Sequence, residues 1–342
     1  MTPHLRCDIA SPRTELLMQS QLGLNFLVSL IILFSLPDTN QARNIKVSVP
    51  AQSVSHVGFY VAKDRGYYRD EGVDVELILM NAAVAVRALI GGDVDFTTVG
   101  GSGIPPILRG AQLRFFLLGF QRPIHWLFAR PDISNVKSLK GKKVATSSIG
   151  SASDLLLKEV LKRNGLEGGQ NLTIISIGVQ STRYAALVSG AVDATPLTFP
   201  WNILAGEAGY RELVNFTKQD FIDMSGSIIV PDALSRSEPA VVEKFTRGTL
   251  KGLLYARENR SGTIPILARN LRIKEDMAAK VYDLSKPAMT VDGTLSRETE
   301  KRIIDDALGR VGLKEAPPLD RVFTFSLVRR IRSELDAVGW KP

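Results

Sequence analysis

The chain says one thing twice. Ala88-Leu89-Ile90-Gly91-Gly92-Asp93-Val94-Asp95-Phe96-Thr97 returns 98 positions later as Ala186-Leu187-Val188-Ser189-Gly190-Ala191-Val192-Asp193-Ala194-Thr195. Each copy reads as the end of a helix, a Gly turn and a short strand opening on Val-Asp. The upstream segments correspond more loosely. Lys46-Val47 and Lys143-Val144 each begin a strand that runs into a polar loop and an amphipathic helix, and those helices close on Asp64-Arg65-Gly66 and Arg163-Asn164-Gly165. Such a chain is expected to fold into two similar α/β lobes with a cleft between them, the usual place for a small ligand. Its 342 residues supply core enough for both.

Strand and helix patterns alternate after residue 42, which predicts α/β architecture with mostly parallel sheets flanked by helices. Strands are expected at 45–49, 73–79, 94–99, 113–120, 142–146, 172–177, 193–197 and 227–230. Helices are expected at 56–65, 81–90, 151–164, 181–189, 238–259, 274–284, 296–311 and 323–338. In the helix at 151–164, Leu155, Leu156, Val160 and Leu161 are read as one apolar face. The expected division is a first lobe of residues 43–130 plus 227–342 and a second of 131–226. Crossings near Pro123–Asp132 and Gly226–Pro231 make a two-strand hinge.

Residues 1–42 read as a signal peptide or an N-terminal membrane anchor. Leu22 to Leu36 is an unbroken, mainly apolar run, short for a span and right for a signal h-region. Pro37 and a polar stretch follow, with cleavage expected near Ala42 and Met18 as an alternative start. Either reading places the body in the periplasm or otherwise outside the cytoplasmic membrane. The one cysteine, Cys7, precedes this run, so disulfides and cysteine chemistry are excluded from the body. The net charge of +8 is moderate. Its clusters at Lys140-Gly141-Lys142-Lys143 and Arg329-Arg330-Ile331-Arg332 lack the interleaved aromatics of a nucleic-acid binder, so no nucleic-acid partner is expected.

No catalytic constellation stands out. The three histidines are His4, His56 and His125, which cannot build a multi-His metal site, and no HExxH, P-loop or GxSxG pattern occurs. No catalytic residue, metal or cofactor is therefore expected. Asp95 and Asp193 stand at equivalent strand starts and read as turn-bonding residues. What remains are polar loops ahead of helices: Gln52, Ser53, Ser55 and His56; Gly100, Gly101 and Ser102; Gly150, Ser151 and Ala152; Gln180, Ser181 and Thr182. Free backbone N–H groups and the helix dipole favour anions there, and glycine admits a ligand close to the backbone. Plain N-capping is the competing reading of each loop. Gln121 and Arg122 follow a strand near the presumed hinge, where Arg122 offers a planar fork to a carboxylate, sulfonate or phosphate. Trp201 follows Thr198-Phe199-Pro200 at a strand end and offers an aromatic face to a ligand body.

The ordered pieces Gly58-Phe59-Tyr60-Val61-Ala62-Lys63-Asp64-Arg65-Gly66-Tyr67-Tyr68, Gly92-Asp93-Val94-Asp95-Phe96 with Gly100-Gly101-Ser102, Val136-Lys137-Ser138-Leu139-Lys140-Gly141-Lys142-Lys143-Val144-Ala145 and Ser189-Gly190-Ala191-Val192-Asp193-Ala194 resemble the NMT1/THI5-like group. This is the sulfonate, nitrate and taurine type of ABC-transporter substrate-binding proteins. The resemblance implies a two-lobed type II periplasmic-binding-protein fold that closes by hinge motion around one small anionic or heterocyclic ligand. It also implies delivery to a membrane permease by a monomer. Binding positions carry over to the four loops above, with Thr198–Trp201 less directly. The alternative is an enzyme of pyrimidine or thiamine-type cofactor biosynthesis on the same fold. The thiamine-pyrimidine synthases of that group carry a Cys-rich motif, which this body lacks.

Overall fold

The computed structural model describes residues 42–222 and 224–342. The expected leader, with its apolar run at 22–36, lies outside the described residues. Among the described residues no helix is long and apolar enough to cross a membrane.

Ten strands form two five-stranded sheets. The first contains β1 (Arg43–Val49), β2 (Val73–Leu79), β3 (Phe96–Thr97), β4 (Leu113–Leu117) and β10 (Ile228–Pro231), in the order β2-β1-β3-β10-β4. The second contains β5 (Trp126–Ala129), β6 (Lys143–Thr146), β7 (Thr173–Ser176), β8 (Ala194–Leu197) and β9 (Arg211–Asn215), in the order β7-β6-β8-β5-β9. The two orders are the same plan. In each sheet three neighbouring strands run parallel and the fourth is antiparallel to both of its neighbours.

The repeated sequence is the repeated local structure. The Asp95 N–H donates to the Lys46 carbonyl at 2.9 Å and its carboxylate accepts the Lys46 N–H at 2.8 Å. Asp193 does the same to Lys143, at 2.8 Å both ways. These acids fasten the third parallel strand to the first in each lobe. Gly92 and Gly190 sit at φ +81° and +75°, the left-handed turn that releases the chain from helix to strand.

The antiparallel strand of each sheet comes from the chain crossing between sheets, and here the expected boundaries shift. Trp126–Ala129, left on the first-lobe side by a boundary at 130, pairs with β8 and β9 in the second sheet. The first crossing therefore runs through residues 118–125, and the second through 216–227. Four apolar residues in a row in β5, buried on both faces, carry no alternation that would mark them as a strand.

Helices fill both faces. They are α1 (Val57–Asp64), α2 (Tyr67–Asp70), α3 (Ala82–Gly91), α4 (Ile104–Leu108), α5 (Ala152–Arg163), α6 (Gln180–Val188), α7 (Trp201–Glu207), α8 (Asp232–Ser237), α9 (Pro239–Glu258), α10 (Arg260–Leu271), α11 (Glu275–Ser285), α12 (Arg297–Val311), α13 (Leu319–Val322) and α14 (Ser326–Ala337). Successive residues of one strand enter opposite cores, as the pleat requires. Phe116, Ile228 and Val230 face one core of the first sheet, while Phe115, Leu113 and Ile229 face the other. Leu127, Ala129 and Val144 face one core of the second sheet. Its opposite face, with Trp126, Phe128 and Ala145, shares a continuous core with Val57 and Val61 of α1 and with Val281 and Tyr282 of α11. The basic run near the C-terminus is solvated: Arg330 pairs with Glu243 and Glu334, and Arg332 with Asp336.

Candidate functional site

The candidate loops leave the carboxyl ends of the parallel strands β1, β3, β6, β7 and β8, where open α/β sheets present ligand sites. Gly101 and Ser102, beyond β3, share one cavity with Gly150 and Ala152, beyond β6. The cavity holds about 770 Å³ and is also lined by α5 and by Arg302, Ile303, Asp305, Asp306 and Gly309 of α12. Helix α5 contributes Leu155, Lys158, Glu159 and Lys162, an i, i+3, i+4, i+7 stripe. This corrects the expected apolar face: Leu155 turns to the cavity, and Leu157 joins Leu156, Val160 and Leu161 in the core. Four cationic side chains (Lys158, Lys162, Arg163, Arg302) and four acidic ones (Glu159, Asp220, Asp305, Asp306) line the cavity, so the mouth carries no net charge of its own. Arg302 is spent on Asp220, at 3.0 and 3.2 Å. Arg163 lies 4.2 Å above the Phe221 ring and pairs with Glu159.

The loop 52–56 packs at the two crossings. The Ser53 hydroxyl accepts the Ser55 N–H, its own N–H meets the Tyr60 hydroxyl at 3.2 Å, and Gln52 is exposed. His56 is buried, with Nε2 3.0 Å from the Thr98 hydroxyl, which in turn donates to the Ser48 carbonyl. Burial pushes the His56 imidazole down to about 4. His125, also buried, is pushed to about 3 by burial and by the nearby charge of Arg183. Both rings are therefore neutral at ordinary pH.

The unfolded chain protonates both histidines near their ordinary value while the fold holds them neutral, so unfolding takes up protons and stability falls as pH drops from about 6.5 towards 4. Each imidazole is expected to add roughly 1.4 kcal/mol per pH unit to that slope. Urea denaturation between about pH 7 and pH 5 checks it, with the double variant His56→Gln, His125→Gln expected to flatten the slope. Equal slopes in both proteins would refute it.

The loop before α5 caps the helix from within. The Ser151 hydroxyl accepts the Asp154 N–H, and the buried Asp154 carboxylate accepts the Gly150 N–H at 2.9 Å and the Lys158 ammonium at 2.8 Å. Ser147, Ser151 and Ser153 bond to one another through their hydroxyls. The loop before α6 is different. Its N-cap is Val179, which provides no side-chain bond, and Ser181 and Thr182 are exposed. The Gln180 amide is occupied: it donates to the Thr198 hydroxyl and accepts the Thr198 N–H at 2.6 Å, tying α6 to the end of β8. Trp201, at the start of α7, packs on Tyr184 with ring centres 5.3 Å apart, and both rings are half-buried. The Gln121 N–H bonds the Ala288 carbonyl at 2.9 Å in the first crossing. Arg122 beside it is exposed, without a hydrogen bond or ion pair among the described residues.

Gly100 backs onto the Met224 carbonyl in the second crossing. Among the described residues no group of three or more His, Cys, Asp or Glu is arranged to hold a metal. The Thr198 hydroxyl of the expected Thr198–Trp201 position holds Gln180, and the Thr98 hydroxyl holds His56, while sequence reasoning passed over Arg183, the charged residue beneath the α6 loop. Arg183 shares its buried face with Leu187 four residues on, and that spacing was the available signal.

The NMT1/THI5 like family model matches residues 53–261, more than half of the chain. The riboflavin-binding protein RibY of Chloroflexus aurantiacus is 25% identical over 247 residues, covering 68% of this chain and 66% of that protein. Among solved structures, the periplasmic aliphatic sulphonate binding protein SsuA of Escherichia coli superimposes with a TM-score of 0.64 at 21% identity. That match covers 82% of this chain and 91% of SsuA. The desulfurization enzyme DSZB has the same fold at 16% identity and a TM-score of 0.65, over 85% of this chain and 99% of that one. These two structures establish the type II periplasmic-binding fold.

Proposed function

Because the chain belongs to the NMT1/THI5 like family, we propose that it is the extracytoplasmic solute-binding component of an ABC uptake transporter. It takes one small anionic or heterocyclic molecule between its lobes and hands it to a membrane permease. One observation carries this reading: loops from both sheets, at Gly101-Ser102 and at Gly150 with Ala152, line a single cavity of about 770 Å³. That volume lies in the range of small-molecule sites. The two crossings supply the hinge. Ligand contacts to both lobes favour the closed state, and the permease reads closure. The names of RibY and SsuA support a solute-binding role, and the apolar run at 22–36 supports export to the periplasm or another extracytoplasmic site.

DSZB keeps the enzyme alternative in view, since that protein acts on this fold. Turnover here would fall to His56, and its buried, neutral ring held against Thr98 favours binding. The test is thermal denaturation with alkylsulfonates, nitrate, bicarbonate, aliphatic and aromatic carboxylates, aminopyrimidines and riboflavin. A true ligand at about 100 times its Kd is expected to add roughly 2.7 kcal/mol and raise Tm measurably. No rise with any compound would contradict the proposal, and turnover abolished by His56→Ala would replace it with the enzyme reading.

A further inference from the structure

The two crossings are not free along their length. In the first, Leu118 to Gln121 are bonded to the first lobe. The segment Ala288–Thr290, which follows α11, lies antiparallel to them with Met289 opposite Phe120. The Gln121 N–H donates to the Ala288 carbonyl at 2.9 Å. Thr290 donates its N–H to the Gly119 carbonyl at 3.0 Å and its hydroxyl to the Leu118 carbonyl at 2.7 Å. All three residues of the segment are buried, and Arg257 of α9 holds the Met289 carbonyl. The expected two-strand hinge thus carries a third segment as a splint. From Pro123 the chain is bonded to the second lobe: the Pro123 carbonyl accepts the Thr217 hydroxyl at 2.7 Å, and the His125 carbonyl accepts the Phe216 N–H at 3.1 Å. Arg122 stands between, with no backbone hydrogen bond among the described residues. The second crossing changes sides as abruptly. Phe221 packs in the second lobe's core, 5.5 Å from Phe216, while Ile222 and Met224 pack in the first lobe's. The Arg302–Asp220 pair spans that point only through exposed side chains.

The surroundings of the crossings are unequal too. Helix α11 is tied to the first lobe by the Tyr282 hydroxyl on the Arg257 carbonyl at 3.1 Å and by the Arg260–Asp283 pair at 2.7 Å. It also meets the second lobe: Lys280 pairs with Glu207 of α7 at 2.7 Å, and Val281 and Tyr282 share a continuous core with Phe199 and Ala205. Between α5 and α12 the lobes are instead parted by the cavity of about 770 Å³. Parting α11 from α7 would open a close-packed core, whereas the cavity narrows without opening any.

We propose that the chain bends at two points only, Arg122 and the Phe221–Ile222 peptide, and that closure is one-sided: α11 stays seated on α7 while α5 and α12 approach. This rests on the solute-binding reading above and gives its hinge a position and a direction. Pro123 confines the Arg122 backbone to the extended region, within about 40° in φ, so it permits a swing and limits it.

The experiment measures spin-label distances in the full chain without ligand, with Cys7 replaced by serine. One pair of cysteines replaces Lys162 and Lys301, across α5 and α12; the other replaces Ala208 and Lys274, across α7 and α11, all four positions being exposed. The α5–α12 distribution is expected to be at least about twice as wide as the α7–α11 one. Arg122→Gly, which frees the backbone, is expected to widen the first and leave the second unchanged. Arg122→Pro, which forfeits no backbone bond, is expected to narrow the first, and the glycine variant supplies the reading should the proline variant fail to fold. Equally broad distributions at the two pairs, or a glycine variant with the wild-type α5–α12 width, would overturn the proposal, and a ligand-induced rise in Tm would then leave the solute-binding reading standing. Narrow distributions at both pairs would overturn the proposal and count against closure itself.

Discussion

Replacing Phe245 with alanine is expected to cost about 4 kcal/mol of folding stability, the upper range for emptying a buried aromatic site. Phe245, on α9, is 0% exposed. Its ring lies 4.1 Å from that of Phe96 in β3, 5.9 Å from Tyr68 in α2 and 6.2 Å from Phe59 in α1. One side chain thus joins the long helix α9 to the strand and helices that carry the first lobe's candidate loops. Those neighbours are themselves held: the Tyr68 hydroxyl bonds Thr249, and Phe96 is anchored in the sheet beside β1. They cannot collapse freely into the void, so the cavity contribution adds to the transfer loss. Phe245→Leu, which keeps most of the volume, is expected to cost about half as much. Urea denaturation with unchanged m-value is the check, and a loss under about 1 kcal/mol for the alanine variant would show that this aromatic cluster is not structural.

Gly226→Val is expected to be the more damaging change for function. Gly226 lies in the second crossing at φ +70°, where a β-branched residue is strained by roughly 1–2 kcal/mol before any contact is counted. A Cβ there would stand 2.3 Å from the Ser55 carbonyl oxygen, backbone that cannot swing aside as a side chain does. The Gly226 carbonyl also accepts the Gly119 N–H of the first crossing, at 3.2 Å. The side chain would therefore push apart the two hinge strands and the loop 53–56. We expect a stability loss of about 3–5 kcal/mol together with weakened affinity for whichever panel compound binds the wild type. Gly226→Ala carries the same Cβ against the Ser55 carbonyl and is expected to lose both stability and affinity, by less than valine because it adds no γ-methyl groups. Full wild-type affinity in the valine variant would place the hinge and loop 53–56 outside the binding mechanism.

What the sequence made legible was what repeats. Asp95 and Asp193, Gly92 and Gly190, and the alternating strand at 73–79 mark the repeat because turn chemistry and period-two burial leave local traces. Trp126–Ala129 left none: a strand buried on both faces is a short apolar run with no period. The strand Arg211–Asn215 at the sheet edge and the helix Arg260–Leu271, with Pro265 inside it, were hidden for related reasons, since neither shows the pattern of its type. The polar loops were visible, but their inequality was not. Ser151 and Ser181 look alike in sequence, and only the fold shows that Asp154 closes one helix start while Arg183 lies unneutralised under the other. Charge balance in a buried site depends on which residues tertiary packing brings beneath a loop, and residue spacing within the loop does not report it.

Ligand binding is expected to close the two lobes about the crossings at 118–125 and 216–227, and a distance across the cavity reads that closure. Spin labels at cysteines replacing Lys162 of α5 and Lys301 of α12 would report it, both positions being exposed, in a chain whose single native cysteine, Cys7, is replaced by serine. With the panel compound that raises Tm most, the expected result is a broad distance distribution without ligand that collapses to its short component at saturation. The same distribution with and without bound ligand would contradict closure as the mechanism.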